Sequence, residues 1–67
     1  MKKITINGQE KNLSADPKLS EIIEQFCKDP RYVIAEVNTQ IVKQQHWPET
    51  AVNDGDKIEL VSFVGGG

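Results

Sequence analysis

The sequence is poor in cysteine and histidine, with one of each among 67 residues. A single Cys excludes a disulfide framework and a zinc site built from several thiolates. The lone His46 has no second ligand at metal-binding spacing, so we expect no bound metal and no bound cofactor. So few thiols are typical of a reducing compartment, and we expect the chain in the cytoplasm.

Long apolar runs and an excess of basic residues are also absent. No stretch approaches the roughly 20 apolar residues of a membrane span. Ile4 and Ile6 are the only apolar residues directly after Lys2 and Lys3, which does not make a signal-peptide core. The formal net charge of −2 and the pI near 5.2 disfavour nucleic-acid binding. We therefore expect neither a membrane nor a nucleic acid as a partner.

The chain is short enough to limit the size of its core. A chain of about 60 residues buries only about 60% of the surface that it exposes when unfolded. A buried, preorganised catalytic pocket is therefore not expected. The classes that remain are carriers, protein modifiers and binding modules.

The first half of the chain has the pattern of a hairpin followed by an amphipathic helix. Residues 4–6 alternate apolar and polar, the Asn7-Gly8 pair favours a two-residue turn, and residues 9–13 should return as an edge strand. Apolar residues then recur at i, i+3, i+4 and i+7, namely Leu19, Ile22, Ile23 and Phe26. This spacing predicts one buried helix face and an end before Pro30. Asp16-Pro17 predicts either a turn or the helix start, with Asp16 as the N-cap.

The second half contains three further predicted strands, at residues 33–37, 41–42 and 57–64. An irregular stretch at residues 43–52 carries Trp47, which we expect to close one end of the core. The order ββαβββ predicts an α+β fold of the ubiquitin-like β-grasp type, with one main helix across a mixed sheet of four to five strands. The first and last strands should be neighbours. We expect residues 1–64 to form the domain and residues 65–67 to form a flexible glycine tail.

The last strand predicts an apolar patch on the solvent side of the sheet. If Ile58 and Leu60 face the helix, Val61 and Phe63 lie on the opposite side, and Ile34 shares that side. Exposed apolar patches commonly mark partner sites, so we expect these three residues to dock a partner. The alternative is a strand bulge that returns Phe63 to the core.

Two single residues have a plain structural interpretation and a less favoured chemical one. Cys27 lies beside the predicted apolar helix face, so we interpret it as a small core residue rather than a persulfide site. His46 is interpreted as a loop residue rather than a metal ligand.

The three final glycines, Gly65, Gly66 and Gly67, leave a tail without side chains. Such a tail can thread into a narrow channel of another protein, although a frayed end or a cloning remnant has the same pattern. The carboxylate of Gly67 is the reactive group in the first interpretation. Because a carboxylate is a poor electrophile, it needs activation, for instance as an acyl-adenylate, before a nucleophile attacks it.

Residues 52–67, with the sequence VNDGDKIELVSFVGGG, resemble the end of the bacterial thiamine-biosynthesis sulfur carrier family, the ThiS family. Residues 36–42, followed by Trp47, are similar as well. The opening residues 4–8 and the predicted helix match in position. The resemblance covers essentially the whole chain.

The resemblance implies a carrier, a protein co-substrate that is not itself an enzyme. In that family a ThiF-like adenylyltransferase uses ATP and Mg²⁺ to adenylate the last glycine, here Gly67. A persulfide donor supplied by a cysteine desulfurase converts the adenylate to a thiocarboxylate. Thiazole synthase then takes the sulfur for the thiazole phosphate of thiamine. Gly66 and Gly67 match the family's terminal pair, and Gly65 lengthens the glycine run by one.

Three other functions compete with this one. A sulfur carrier for molybdopterin or another pathway is disfavoured by the short length and by the sequence of the ending. A binding module with an inert tail is disfavoured by the Gly-Gly terminus. A ubiquitin-like modifier joined to lysines stays open, because both fates begin with adenylation.

Overall fold

The computed structural model describes residues 2–13 and 15–63. Its five strands and single α-helix follow the predicted order ββαβββ: β1 (Lys2–Ile6), β2 (Gln9–Leu13), α1 (Leu19–Phe26), β3 (Val33–Val37), β4 (Gln40–Val42) and β5 (Lys57–Ser62). Two 3₁₀ helices, Pro30–Tyr32 and Gln44–Glu49, precede β3 and follow β4. The stretch predicted to be irregular therefore contains a 3₁₀ helix. The predicted end of the last strand at Val64, the domain boundary there and the tail lie outside the described residues.

The strands form one five-stranded sheet in the order β2-β1-β5-β3-β4. β1 and β5 are parallel neighbours, with Ile6 opposite Ile58. The other three pairings are antiparallel. The α+β fold, the mixed sheet and the adjacency of the first and last strands are therefore confirmed.

Both hairpin turns use backbone conformations in the left-handed region. Asn7 and Gly8 have φ angles of 49° and 83°, as a two-residue type I′ turn requires. Asn38 and Thr39 have φ angles of 52° and 73° in the turn between β3 and β4. A β-branched residue in this region is a strained outlier, so Thr39 stores conformational energy in the second turn.

Helix α1 packs across one face of the sheet through Leu19, Ile22 and Ile23, each at most 1% exposed. The prediction that Phe26 belongs to this buried face is wrong, because its side chain is 41% exposed. Phe26 is the last helical residue, and the chain turns to extended backbone at Cys27. The ring lies at the margin of the core, with Lys11 Nζ 5.5 Å from its centroid.

The helix begins differently from the prediction that Asp16 caps it. Lys18 occupies the N-cap position, and its backbone N–H donates to the Glu21 carboxylate at 2.8 Å. Asp16 instead pairs with Lys2 Nζ at 2.8 Å, and this contact lowers the pKa of the Asp16 carboxyl. The carboxylate that accepts a hydrogen bond at the helix start therefore belongs to Glu21, inside the first helical turn, and not to Asp16 before it.

Trp47 closes one end of the core, as predicted. Its side chain is 4% exposed, and its indole N–H donates to the Val42 carbonyl at 2.9 Å. The Leu19 N–H donates to the Thr50 carbonyl at 2.8 Å, which ties the helix start to the end of the second 3₁₀ helix. No helix in residues 2–13 and 15–63 is long and apolar enough to cross a membrane.

Candidate functional site

The outer face of the sheet, the face opposite α1, carries exposed apolar side chains from its central strands. Ala35 and Leu60 are directly opposite each other and both are buried. The next pair, Ile34 and Val61, must therefore project to the other side, where they are 44% and 55% exposed. Their exposure on one common face is confirmed, and their role in docking stays a prediction.

Phe63 extends this apolar surface beyond the end of β5. Its backbone N–H donates to the Tyr32 carbonyl at 2.8 Å, and its ring packs edge-on against Tyr32 with centroids 5.9 Å apart. The side chain is 46% exposed, so the alternative in which Phe63 returns to the core is wrong. The outer surface therefore ends in the aromatic pair of Tyr32 and Phe63, and Phe63 is the last described residue before the predicted tail.

Sequence reasoning missed Ile41, which is 67% exposed on β4. Its cross-strand neighbour is Glu36, which places it on the outer face beside the Ile34 and Val61 pair. The alternation of Ile41 with Val42 was the signal that could have found it, because Val42 packs against the core. We define the outer patch as Ile34, Ile41, Val61 and Phe63.

Sequence reasoning also missed the role of the Asn7 side chain, because its hydrogen-bond partner, the Leu60 backbone, lies on a distant strand. Its Oδ1 accepts from the Leu60 N–H at 2.8 Å, and its Nδ2 donates to the Leu60 carbonyl at 3.1 Å. The two bonds continue the parallel ladder past the end of β1. The sequence around Asn7 indicates only a turn, and no local pattern indicates a contact with the last strand.

The turn before β5 is held by buried carboxylate contacts. Asp56 is 8% exposed and accepts from the Asn53 N–H at 2.7 Å and from Asn38 Nδ2 at 2.9 Å. Asn38 Oδ1 in turn accepts from the Lys57 N–H at 2.9 Å. Asn7 and Asp56 together therefore fix the strand that presents Val61 and leads to Phe63.

Cys27 and His46 are not brought together with each other or with the outer patch. Cys27 is half-buried and packs against the core, and burial raises the pKa of its thiol. His46 is exposed and contacts Glu49 through Nδ1 at 2.7 Å. Within the described part of the chain, no group of three or more His, Cys, Asp or Glu residues is arranged to hold a metal. Gly65, Gly66 and Gly67, the predicted reactive tail, lie outside that part.

Comparison with known proteins identifies the family. The model of the ThiS family matches residues 4–67, nearly the whole chain. The chain belongs to the ThiS family. The sulfur carrier protein ThiS of Escherichia coli K12 is 31% identical over 64 residues, which are 96% of this chain and 97% of that relative. The relatives of this ThiS family member thus include a sulfur carrier protein of nearly the same length.

Solved structures confirm the fold of this ThiS family member. The crystal structure of ThiS, a thiamine biosynthesis protein from Geobacter metallireducens, superposes with a TM-score of 0.82 at 26% identity. The match covers 97% of this chain and 99% of that one. The ubiquitin-like β-grasp assignment is therefore confirmed.

A longer relative has a different name. A thiazole synthase of Paramagnetospirillum magneticum is 43% identical over 65 residues, which are 97% of this chain. The chain spans only 20% of the length of that synthase. A ThiS-like region thus occurs within one polypeptide named thiazole synthase.

Proposed function

We propose that this chain is the sulfur carrier for thiamine thiazole synthesis and that sulfur travels on the carboxyl group of Gly67. The observation that carries the proposal is the match to the ThiS family, which extends through Gly67. In this proposal the chain is a co-substrate of other enzymes and performs no catalysis itself.

The proposed chemistry places one sulfur atom on the acyl carbon of Gly67. A ThiF-like adenylyltransferase joins the Gly67 carboxylate to the α-phosphate of ATP, with Mg²⁺, and releases pyrophosphate. The outer sulfur of a persulfide, charged by a cysteine desulfurase, attacks the acyl carbon and displaces AMP. A thiol then reduces the resulting acyl disulfide to the thiocarboxylate and is itself oxidised to a disulfide. Thiazole synthase transfers the sulfur to its substrate in exchange for an oxygen atom, and this oxygen returns Gly67 to the carboxylate.

The position of the outer patch supports this role. Val61 belongs to the strand that leads to the tail, and Phe63 is four residues from Gly67. Four extended residues reach at most about 14 Å. A partner that binds Ile34, Val61 and Phe63 would therefore have its reaction centre close to its docking surface, while Gly65 and Gly66 offer no side chains to obstruct a narrow channel.

The decisive experiment follows the mass of the 67-residue chain. It is incubated with the adenylyltransferase, ATP, Mg²⁺, cysteine and a cysteine desulfurase, and then with thiazole synthase. We expect the exchange of one oxygen for sulfur, reversed when the synthase and its substrates are added. An isopeptide bond to lysine would indicate a modifier instead, and a thiocarboxylate that thiazole synthase leaves intact would indicate another pathway.

Two variants separate docking from chemistry. Phe63→Ala should lose about 1 kcal/mol of stability, because its edge contact with Tyr32 has the strength of an aromatic pair, yet bind the adenylyltransferase much more weakly. Gly67→Ala should bind like the parent and accept sulfur poorly, because its methyl group crowds the channel. A Gly67→Ala chain that is charged with sulfur at the parent's rate would contradict the assignment of Gly67.

A further inference from the structure

Two carboxylates lie directly opposite each other beside the outer patch. Glu36 on β3 and Glu59 on β5 are cross-strand partners, and the Ile34 and Val61 pair is two positions along the same strands. The Cβ atoms of such a pair are about 4.5–5.5 Å apart, and like charges in this position destabilise a sheet. Both side chains are half-buried, so dissolved salt screens their repulsion less than it would for a fully exposed pair.

Neither glutamate forms an ion pair with another described residue. The three ion pairs among the described residues join Lys2 to Asp16, Arg31 to Asp29 and His46 to Glu49. Lys57 shares the outer face two positions before Glu59, but within the described residues it forms no ion pair with either glutamate. The outer face of the described residues therefore presents an apolar surface with two adjacent carboxylates that no ion pair engages.

We propose that this face docks on thiazole synthase through a surface that places an arginine or lysine between Glu36 and Glu59. Apolar side chains of the synthase would surround that cation and receive Ile34, Val61 and Phe63. A guanidinium suits the position well, since its fork of donors can bind two carboxylates at once. The choice of partner rests on the proposed function.

The same charges disfavour the other occupants of an exposed sheet face. Nucleic acids and anionic membranes are polyanions, and the glutamate pair repels them. In a two-fold dimer through this face, both copies would bring the same surface to the axis, so four carboxylates would be brought together at one interface, at a desolvation cost. Thiazole synthase is the favoured partner because one relative carries a ThiS-like region within a polypeptide named thiazole synthase. Joining two proteins in one chain raises their effective concentration, which strengthens a contact that is weak between separate chains.

The test compares three variants that each remove one negative charge. Glu36→Gln and Glu59→Gln alter the pair, and Glu24→Gln is the matched control on the exposed side of α1. Each is titrated calorimetrically into the thiazole synthase of the same organism at low and high sodium chloride. Thermal melts of the free proteins and thiocarboxylate formation by the adenylyltransferase system are measured in parallel.

We expect Glu36→Gln and Glu59→Gln to melt at a higher temperature than the parent yet bind the synthase about tenfold or more weakly. Their binding should also depend less on salt, while Glu24→Gln binds like the parent. Unchanged affinity in both pair variants, a lowered melting temperature in both, or a dimer of the free chain that Val61→Ala dissociates would each overturn this docking proposal. A parent chain that binds in this way but never forms a thiocarboxylate would overturn the proposed function and leave the docking surface standing.

Discussion

Replacing Asn7 by alanine tests how strongly the first turn holds the last strand. The substitution removes the two hydrogen bonds between the Asn7 side chain and the Leu60 backbone. Both bonds are partly buried, so we assign about 1 kcal/mol to each backbone group left without a partner, the low end of the range for buried groups. Alanine at a φ of 49° adds about 1 kcal/mol of left-handed strain.

The sum is about 3 kcal/mol, more than half of the roughly 5 kcal/mol expected for so small a domain. In a domain of this size each kcal/mol shifts the melting temperature by about 4–8 °C. The Asn7→Ala variant should therefore melt about 12–24 °C below the parent. Urea denaturation followed by circular dichroism gives the same difference in free energy.

Two matched variants divide this loss into its parts. Asn7→Gly removes the hydrogen bonds but accepts the positive φ angle, so it should lose about 2 kcal/mol. Asn7→Asp keeps an acceptor for the Leu60 N–H and should lose less. An alanine variant within about 0.5 kcal/mol of the parent would refute the reasoning, and so would a glycine variant as stable as asparagine.

The remaining predictions concern strain, packing and a thiol. Thr39→Gly should stabilise the fold by about 1 kcal/mol, because relief of the strain at a φ of 73° exceeds the entropic cost of glycine; a lower urea midpoint would contradict this. Phe26→Ala should cost only about 1–2 kcal/mol, because the ring is 41% exposed, whereas Ile22→Ala should cost about 2–5 kcal/mol; equal losses would place Phe26 in the core after all. Burial raises the pKa of the Cys27 thiol, so its stabilising contribution should be complete below the thiol's unfolded pKa and fall as pH rises through the folded pKa. Iodoacetamide should accordingly need a higher pH to alkylate Cys27 in the folded chain than in urea, and coincident profiles would refute the shift.

Local pattern alone determined most of the architecture. The side-chain period of two in strands is enough to assign Ile34, Val61 and Phe63 to one outer face. The Asn7-Gly8 turn and the spacing of Leu19, Ile22 and Ile23 placed the first hairpin and the buried side of α1. Each of these patterns is set within a single turn, helix or strand, where the backbone geometry depends little on the rest of the chain.

Tertiary structure decided the features that join distant segments. Phe26 continues the helical period, but whether its ring is covered depends on how far the sheet extends beneath the last helical turn. The contact of Asn7 with Leu60 and the pairing of Glu36 with Glu59 depend on which residues of separate strands lie opposite each other. That register is set by packing of the whole core and by the turn at Asp56, since one residue of slip moves every side chain to the other face.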